Sequence, residues 1–155
     1  MTDSAAPYTF RIPADPEYLH AVGRAFYNFA YMEWGIVYGI ARLRNRPLWE
    51  VPVHEPGTTV AAALERAIKS TKLRLSPALR TELRGIARRF RKAVTERNNL
   101  LHANPFTDEG GAQRLGGKGH RKWRTEDVLR AAEDFEALSL DVGRVLGGEI
   151  TKLPP

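Results

Sequence analysis

The sequence has no cysteine, which removes disulfides, thiolate metal sites and a cysteine nucleophile together. It has no run of 18 apolar residues, so nothing reads as a membrane span. Its 13 glycines form neither the Gly-x-x-x-x-Gly-Lys-Ser/Thr phosphate loop nor a Gly-x-Gly-x-x-Gly dinucleotide fingerprint. No Gly-x-Ser-x-Gly elbow occurs, which speaks against a serine hydrolase of that class. The four histidines, His20, His54, His102 and His120, lack metal-ligand spacing, so neither a metal nor another cofactor is expected. Residues 1–15 lack a basic start followed by an apolar core, so they do not read as a secretory signal, and a cytoplasmic location is expected. Internal repeats and sustained strand-like alternation are also missing.

What remains is a chain of 155 residues, the size of one domain, with 43% hydrophobic and 27% charged residues. Its net charge of +6 is unevenly placed. Between Arg66 and Arg124 there are 16 basic and 4 acidic residues, a local +12, while the remainder is net negative. A cationic segment of this kind points to a polyanion partner, nucleic acid before a membrane, since no amphipathic anchor accompanies it.

Four amphipathic helices are legible. Asp15-Pro16-Glu17 is a helix start, with an N-cap acid and a proline in the first turn. The stripe Leu19, Val22, Phe26, Phe29, Ile36, Ile40 and Leu43 follows at helical spacing, ending near Arg46 because Pro47 disfavours helix before it. Residues 47–56, with three prolines, read as a loop. A second helix starts at Thr58 or Thr59 and runs to about Leu73. Ser76-Pro77 opens a third, with Leu79, Leu83, Ile86 and Phe90 inward, which Pro105 closes. Residues 106–122 hold five glycines and read as a flexible loop with room for a short hairpin. Thr125 caps a last helix that stops at Gly147-Gly148. The expectation is an all-α fold, an antiparallel bundle of four main helices, in a single domain 1–155. Its core covers about 16–147, behind an irregular lead-in over 1–15.

Two stripes are interrupted by charge. Position 33 continues the first stripe and holds Glu33; position 97 continues the third and holds Arg97. Unpaired buried charges are costly, so the two are expected to pair or to line a polar cleft. An architectural ion pair is the plain reading. A chemical one comes from Arg97-Asn98-Asn99-Leu100-Leu101-His102, which supplies a fixed cation, an orienting amide and a titratable base. Those parts suit attack of a ribose 2′-hydroxyl on the adjacent phosphate. Arg97 and His102 lie roughly 140° apart on a straight helix. They converge only if the helix loosens at His102 or a second copy completes the site.

The arrangement resembles the HEPN (higher eukaryotes and prokaryotes nucleotide-binding) family, helical bundles with an Arg, a polar residue usually Asn, three to five further residues and a His at the end of a long helix. The resemblance implies a metal-independent endoribonuclease acting as a homodimer through its motif-bearing face. It also implies Arg97 and His102 as the catalytic pair, with Asn98 orienting them. Glu33 joins the candidate catalytic set from the stripe alone. Some family members carry Tyr two residues after the His, where this chain has Asn104.

Candidate RNA contacts are Arg84, Arg88 and Arg91 on the third helix and Lys118, Arg121 and Lys122 in the loop around Trp123. Trp123 itself reads first as a core anchor at the start of the last helix. Tyr27, Tyr31, Trp34 and Tyr38 form a second aromatic face on the first helix, a candidate dimer seam. The competing class is a non-catalytic helical dimer that binds RNA, a nucleotide or a protein. A toxin held by an antitoxin is a third role.

Overall fold

The computed structural model describes residues 15–51, 54–117 and 121–154; the lead-in up to residue 14 lies outside them. Helix α1 spans Pro16–Arg44, α2 Gly57–Ser70, α3 Pro77–Leu101 and α4 Thr125–Val142. Between α3 and α4 lie three short strands, β1 (Asn104–Thr107), β2 (Gln113–Gly116) and β3 (Lys122–Trp123), in the order β1-β2-β3 with both pairings antiparallel. The expected all-α bundle is therefore present, with a small sheet in place of an irregular glycine-rich loop.

Helix starts follow the caps read in the sequence at two of four places. Asp15 accepts hydrogen bonds from the Glu17 and Tyr18 amides at 3.0 and 3.3 Å, and Ser76 accepts from Leu79 N–H at 3.1 Å. Helix α2 begins earlier than expected, at Gly57 behind Pro56 with no side-chain cap, and neither Thr58 nor Thr59 serves as one. At α4 the cap position is Arg124 rather than Thr125, and Asp127 accepts the Arg124 backbone N–H at 3.1 Å. Helix α1 stops at Arg44 because Asn45 takes a left-handed turn, φ 49°. Asparagine tolerates that conformation better than most side chains.

The helices do not simply alternate in direction. Arg24 and Asn28 meet Glu136, Gly35 faces Val142, and Arg42 meets Thr151, so α1 and α4 run the same way. Arg91 meets Glu65 and Arg80 meets Ile68, so α3 runs against α2; Arg89–Asp141 and Arg144–Glu82 set it against α4 as well. The return between α1 and α2 is long enough to bring α2 back parallel to α1.

The core also shifts the first stripe by one residue at its start. Tyr18, Ala21 and Ala25 are buried where Leu19, Val22 and Phe26 were expected; Leu19 is exposed, and Val22 and Phe26 are half-buried. Small alanines let α1 approach its neighbours closely, and they carry no weight in a pattern built on large apolar residues. From Phe29 to Leu43 the stripe is buried as read. Gly147-Gly148 does not stop the last helix, which continues as a π-helical turn, Gly143–Glu149, and a 3-10 turn, Ile150–Lys152. Val145, Leu146 and Ile150 are buried there, and their packing against the bundle outweighs the roughly 1 kcal/mol per glycine that helix formation costs.

Candidate functional site

Arg97 lies on the inner side of α3, about two turns past Phe90 and four past Leu83, and reaches into the junction of three helices. Its Cζ sits 4.6 Å from the centroid of the Phe29 ring on α1. Phe29 is itself stacked with Phe90 at 6.2 Å and edge-on to Phe135 at 5.4 Å, so the cation rests on the aromatic centre of the core. Such contacts are worth about 0.5–1 kcal/mol when exposed and 2 or more when desolvated. The Arg97 Nη2 is 3.9 Å from Glu33 Oε1, and the two side chains are only 19% and 26% exposed. The two charges that break the stripes thus face each other.

The pairing is incomplete. At 3.9 Å the ions attract without a hydrogen bond, and both Glu33 Oε1 and Arg97 Nε are buried with no hydrogen-bond partner among the described residues. Burial pushes the Glu33 carboxyl above its ordinary 4.5, while the Arg97 charge pulls it back. The third wall is Gly57, the first residue of α2. A methyl group on Gly57 would come within 2.9 Å of Arg97 Nη2, 3.0 Å of Glu33 Oε1 and 3.1 Å of Val94. Sequence reading missed this residue. Pro56-Gly57 read only as the end of a loop, and no local pattern shows that a backbone must approach a distant ion pair.

The rest of the motif is arranged differently. Helix α3 ends at Leu101, and His102, exposed, occupies the capping position with φ −95° and ψ 13°. Its backbone N–H donates to the Asn98 carbonyl at 3.0 Å. Asn98 is half-buried. The helix loosens where Asn104-Pro105 said it would, and β1 departs two residues later. Within one chain the group brought to Arg97 is Glu33 rather than His102, which stands at the open end of the helix.

The sheet is fastened to that same end. Arg121 grips Glu96 with two hydrogen bonds, 2.6 and 3.2 Å, and its Cζ lies 4.0 Å from the centre of the fully buried Trp123 ring. The Tyr18 hydroxyl donates to the Trp123 carbonyl at 2.9 Å and accepts from Leu115 N–H at 3.1 Å. Trp123 is therefore the core anchor, and Arg121 is its cover. Lys122 lies 5.8 Å from the centre of the Phe106 ring and 3.9 Å from Glu109. On α3, Arg91 is held by Glu65 at 2.8 and 2.9 Å, whereas Arg84 and Arg88 are exposed. Lys118 and His120 lie outside the described residues.

Among the described residues, no cluster of three or more His, Asp or Glu side chains is positioned to hold a metal ion, and no helix is long and apolar enough to cross a membrane. Comparison with protein-family models, curated proteins and solved structures gives no match. The class that the structure itself defines is a helical bundle with a half-buried Glu–Arg pair at its centre and an exposed histidine at the end of the arginine's helix.

Proposed function

We propose that the protein is a metal-independent endoribonuclease centred on Arg97, Asn98 and His102. The observation that carries the reading is the Arg97 guanidinium, oriented by Phe29 and Glu33 yet short of hydrogen-bond partners, on a helix that ends at an exposed histidine. The buried Nε is sealed from RNA, and it is the Nη groups, which make no hydrogen bond to Glu33, that would donate to phosphate oxygens. In the reaction the His102 imidazole takes the proton of a ribose 2′-hydroxyl. The 2′-oxygen bonds to the adjacent phosphorus, the bond to the 5′-oxygen breaks, and that oxygen leaves with a proton. The products are a 2′,3′-cyclic phosphate and a 5′-hydroxyl. Arg97 balances charge on the phosphorane oxygens, Asn98 orients the pair, and Glu33 fixes the Arg97 side chain.

RNA would lie along Arg84 and Arg88 and reach the sheet at Arg121 and Lys122, with Lys118 a contact expected from the sequence alone. Arg91 and Arg121 would exchange Glu65 and Glu96 for phosphate on binding. The catalytic unit on this reading is a homodimer with the motif-bearing ends together, which supplies the convergence of Arg97 and His102 that one chain lacks. A protein antitoxin is the kind of partner that would hold such an activity in check.

A second reading is favoured by the same 3.9 Å contact. The Glu33–Arg97 pair can be purely architectural, in a non-catalytic helical dimer that binds RNA, a nucleotide or a protein. The two are separated by incubating RNA and DNA of one sequence with the protein in excess EDTA. The ribonuclease reading expects cleavage of RNA alone, with 2′,3′-cyclic phosphate ends. Uncut RNA that binds and is released by salt would overturn it in favour of the second, since phosphate contacts weaken steeply with ionic strength.

A further inference from the structure

The α1 face carrying Tyr27, Tyr31, Trp34 and Tyr38 plays no part in the site. At about 100° per residue these four fall within a band roughly 60° wide, and its centre lies about 130–170° around the helix from Glu33 and Phe29. The aromatic face and the face turned toward Arg97 are therefore on nearly opposite sides of α1, and a seam on one does not join the motifs on the other. The rings are nonetheless organised. Tyr27 and Tyr31 stack at 6.5 Å, Trp34 and Tyr38 meet edge-on at 5.2 Å, and their exposures are 71%, 67%, 43% and 52%.

We infer that this face pairs with the same face of a second copy, α1 against α1 in antiparallel sense about a two-fold axis near the middle of the band. Three observations support a second copy over other occupants. The spacing of 4, 3 and 4 residues is the seam of a helix that packs on another helix, and its symmetry places Tyr27 opposite Tyr38 and Tyr31 opposite Trp34 of the second copy. The charges beside the seam differ between its ends. Toward its start Glu136 of α4 lines the same groove as Tyr27 and Tyr31, with Arg24 bound to it at 2.8 Å. Toward its end Arg42 and Arg46 line a groove of about 730 Å³ next to Tyr38; Arg46 is paired with Glu50 at 3.3 Å, whereas Arg42 meets only the Thr151 and Leu153 carbonyls and keeps its charge. Antiparallel pairing sets the Glu136 end over the Arg42 end.

Area is the third. Aromatic side chains bury about 150–250 Å² each, so the four leave on the order of 400–500 Å² to be covered. Leu140, 72% exposed beside the groove of about 460 Å³ that Tyr27 and Tyr31 line, enlarges the patch. That total, about 500–600 Å², reaches the low end of the roughly 600–1,000 Å² per partner that standard interfaces cover.

The inference is independent of the ribonuclease reading, and the test keeps them apart. The molar mass of the wild type and of Tyr27→Lys/Tyr31→Lys is measured by light scattering across a concentration series, with circular dichroism to confirm that helix content is unchanged. If the motif-bearing ends do not associate the variant is expected to show half the mass of the wild type, and if they do it is expected to fall to the motif-joined dimer from a larger assembly. Equal masses overturn the inference. Because the chain has no cysteine, the sense of pairing can be read separately. Tyr27→Cys protein mixed with Tyr38→Cys protein is expected to give the mixed disulfide on oxidation. Linkage of each variant only to itself, or no linkage, overturns the antiparallel seam. RNA cleavage by the same samples is a separate readout that bears on the ribonuclease reading alone.

Discussion

Glu33 is a carboxylate placed where water is scarce and one cation stands at 3.9 Å. Burial raises its pKa above 4.5 and Arg97 opposes the rise. A raised carboxyl binds its proton more tightly in the folded chain than in the unfolded one. Its contribution to stability is therefore lost as pH climbs from about 4.5 through the folded value. The carboxyl carbon of Glu33, followed by NMR, is expected to titrate above 4.5, and higher still in Arg97→Met, which removes the opposing charge. A midpoint at or below 4.5 in the wild type would mean that the group is well solvated or tightly paired. Both residues were legible in the sequence, because a charge inside a helical apolar stripe is conspicuous. Gly57 was not. Its role depends on three helices meeting, and a glycine after a proline looks the same in any loop.

At the scale of elements, α1 depends on glycine where it crosses α4 and the π-helical turn. A methyl group on Gly39 would lie 2.5 Å from Leu146 Cδ1 and 2.9 Å from its Cβ, whereas one on Gly23 would meet nothing within 4 Å. Overpacking costs about 1–3 kcal/mol, and replacing an unneeded helical glycine by alanine returns roughly 0.5–1 kcal/mol. Gly39→Ala is thus expected to lower the melting temperature and Gly23→Ala to raise it, measured by calorimetry. Two shifts of the same sign would contradict the close approach. The long helices were readable from apolar spacing, Asp15-Pro16 and Ser76-Pro77. Of the sheet only a short hairpin was legible: β1 and β2 form it, but four residues or fewer give no alternation to count, so neither its bounds nor the third strand showed in the sequence. The helix past Gly147-Gly148 was likewise hidden, since propensity argued for a stop and burial of Leu146 and Ile150 prevailed.

The whole molecule is a bundle in which α3 alone runs against its neighbours. That reversal carries Arg97 to the centre and His102 to the sheet-bearing end. The local +12 between residues 66 and 124 runs from the end of α2 along the whole of α3 to the sheet, so the motif lies within the cationic segment. Composition and spacing were enough to draw attention to this segment. They could not show that Arg91 and Arg121 are already occupied by Glu65 and Glu96, because those partners are distant in sequence. The central proposal is that Arg97 and His102 cut RNA, and it is tested most directly by comparing wild type, Arg97→Ala and His102→Ala in one EDTA-containing assay that resolves 2′,3′-cyclic phosphate ends. The variants must first match the wild type in helix content and mass. Cleavage is expected to fall about 10²–10⁴-fold without the histidine and about 10²–10³-fold without the arginine. Equal cleavage by all three proteins, or by none, would contradict the assignment of a ribonuclease site to this motif.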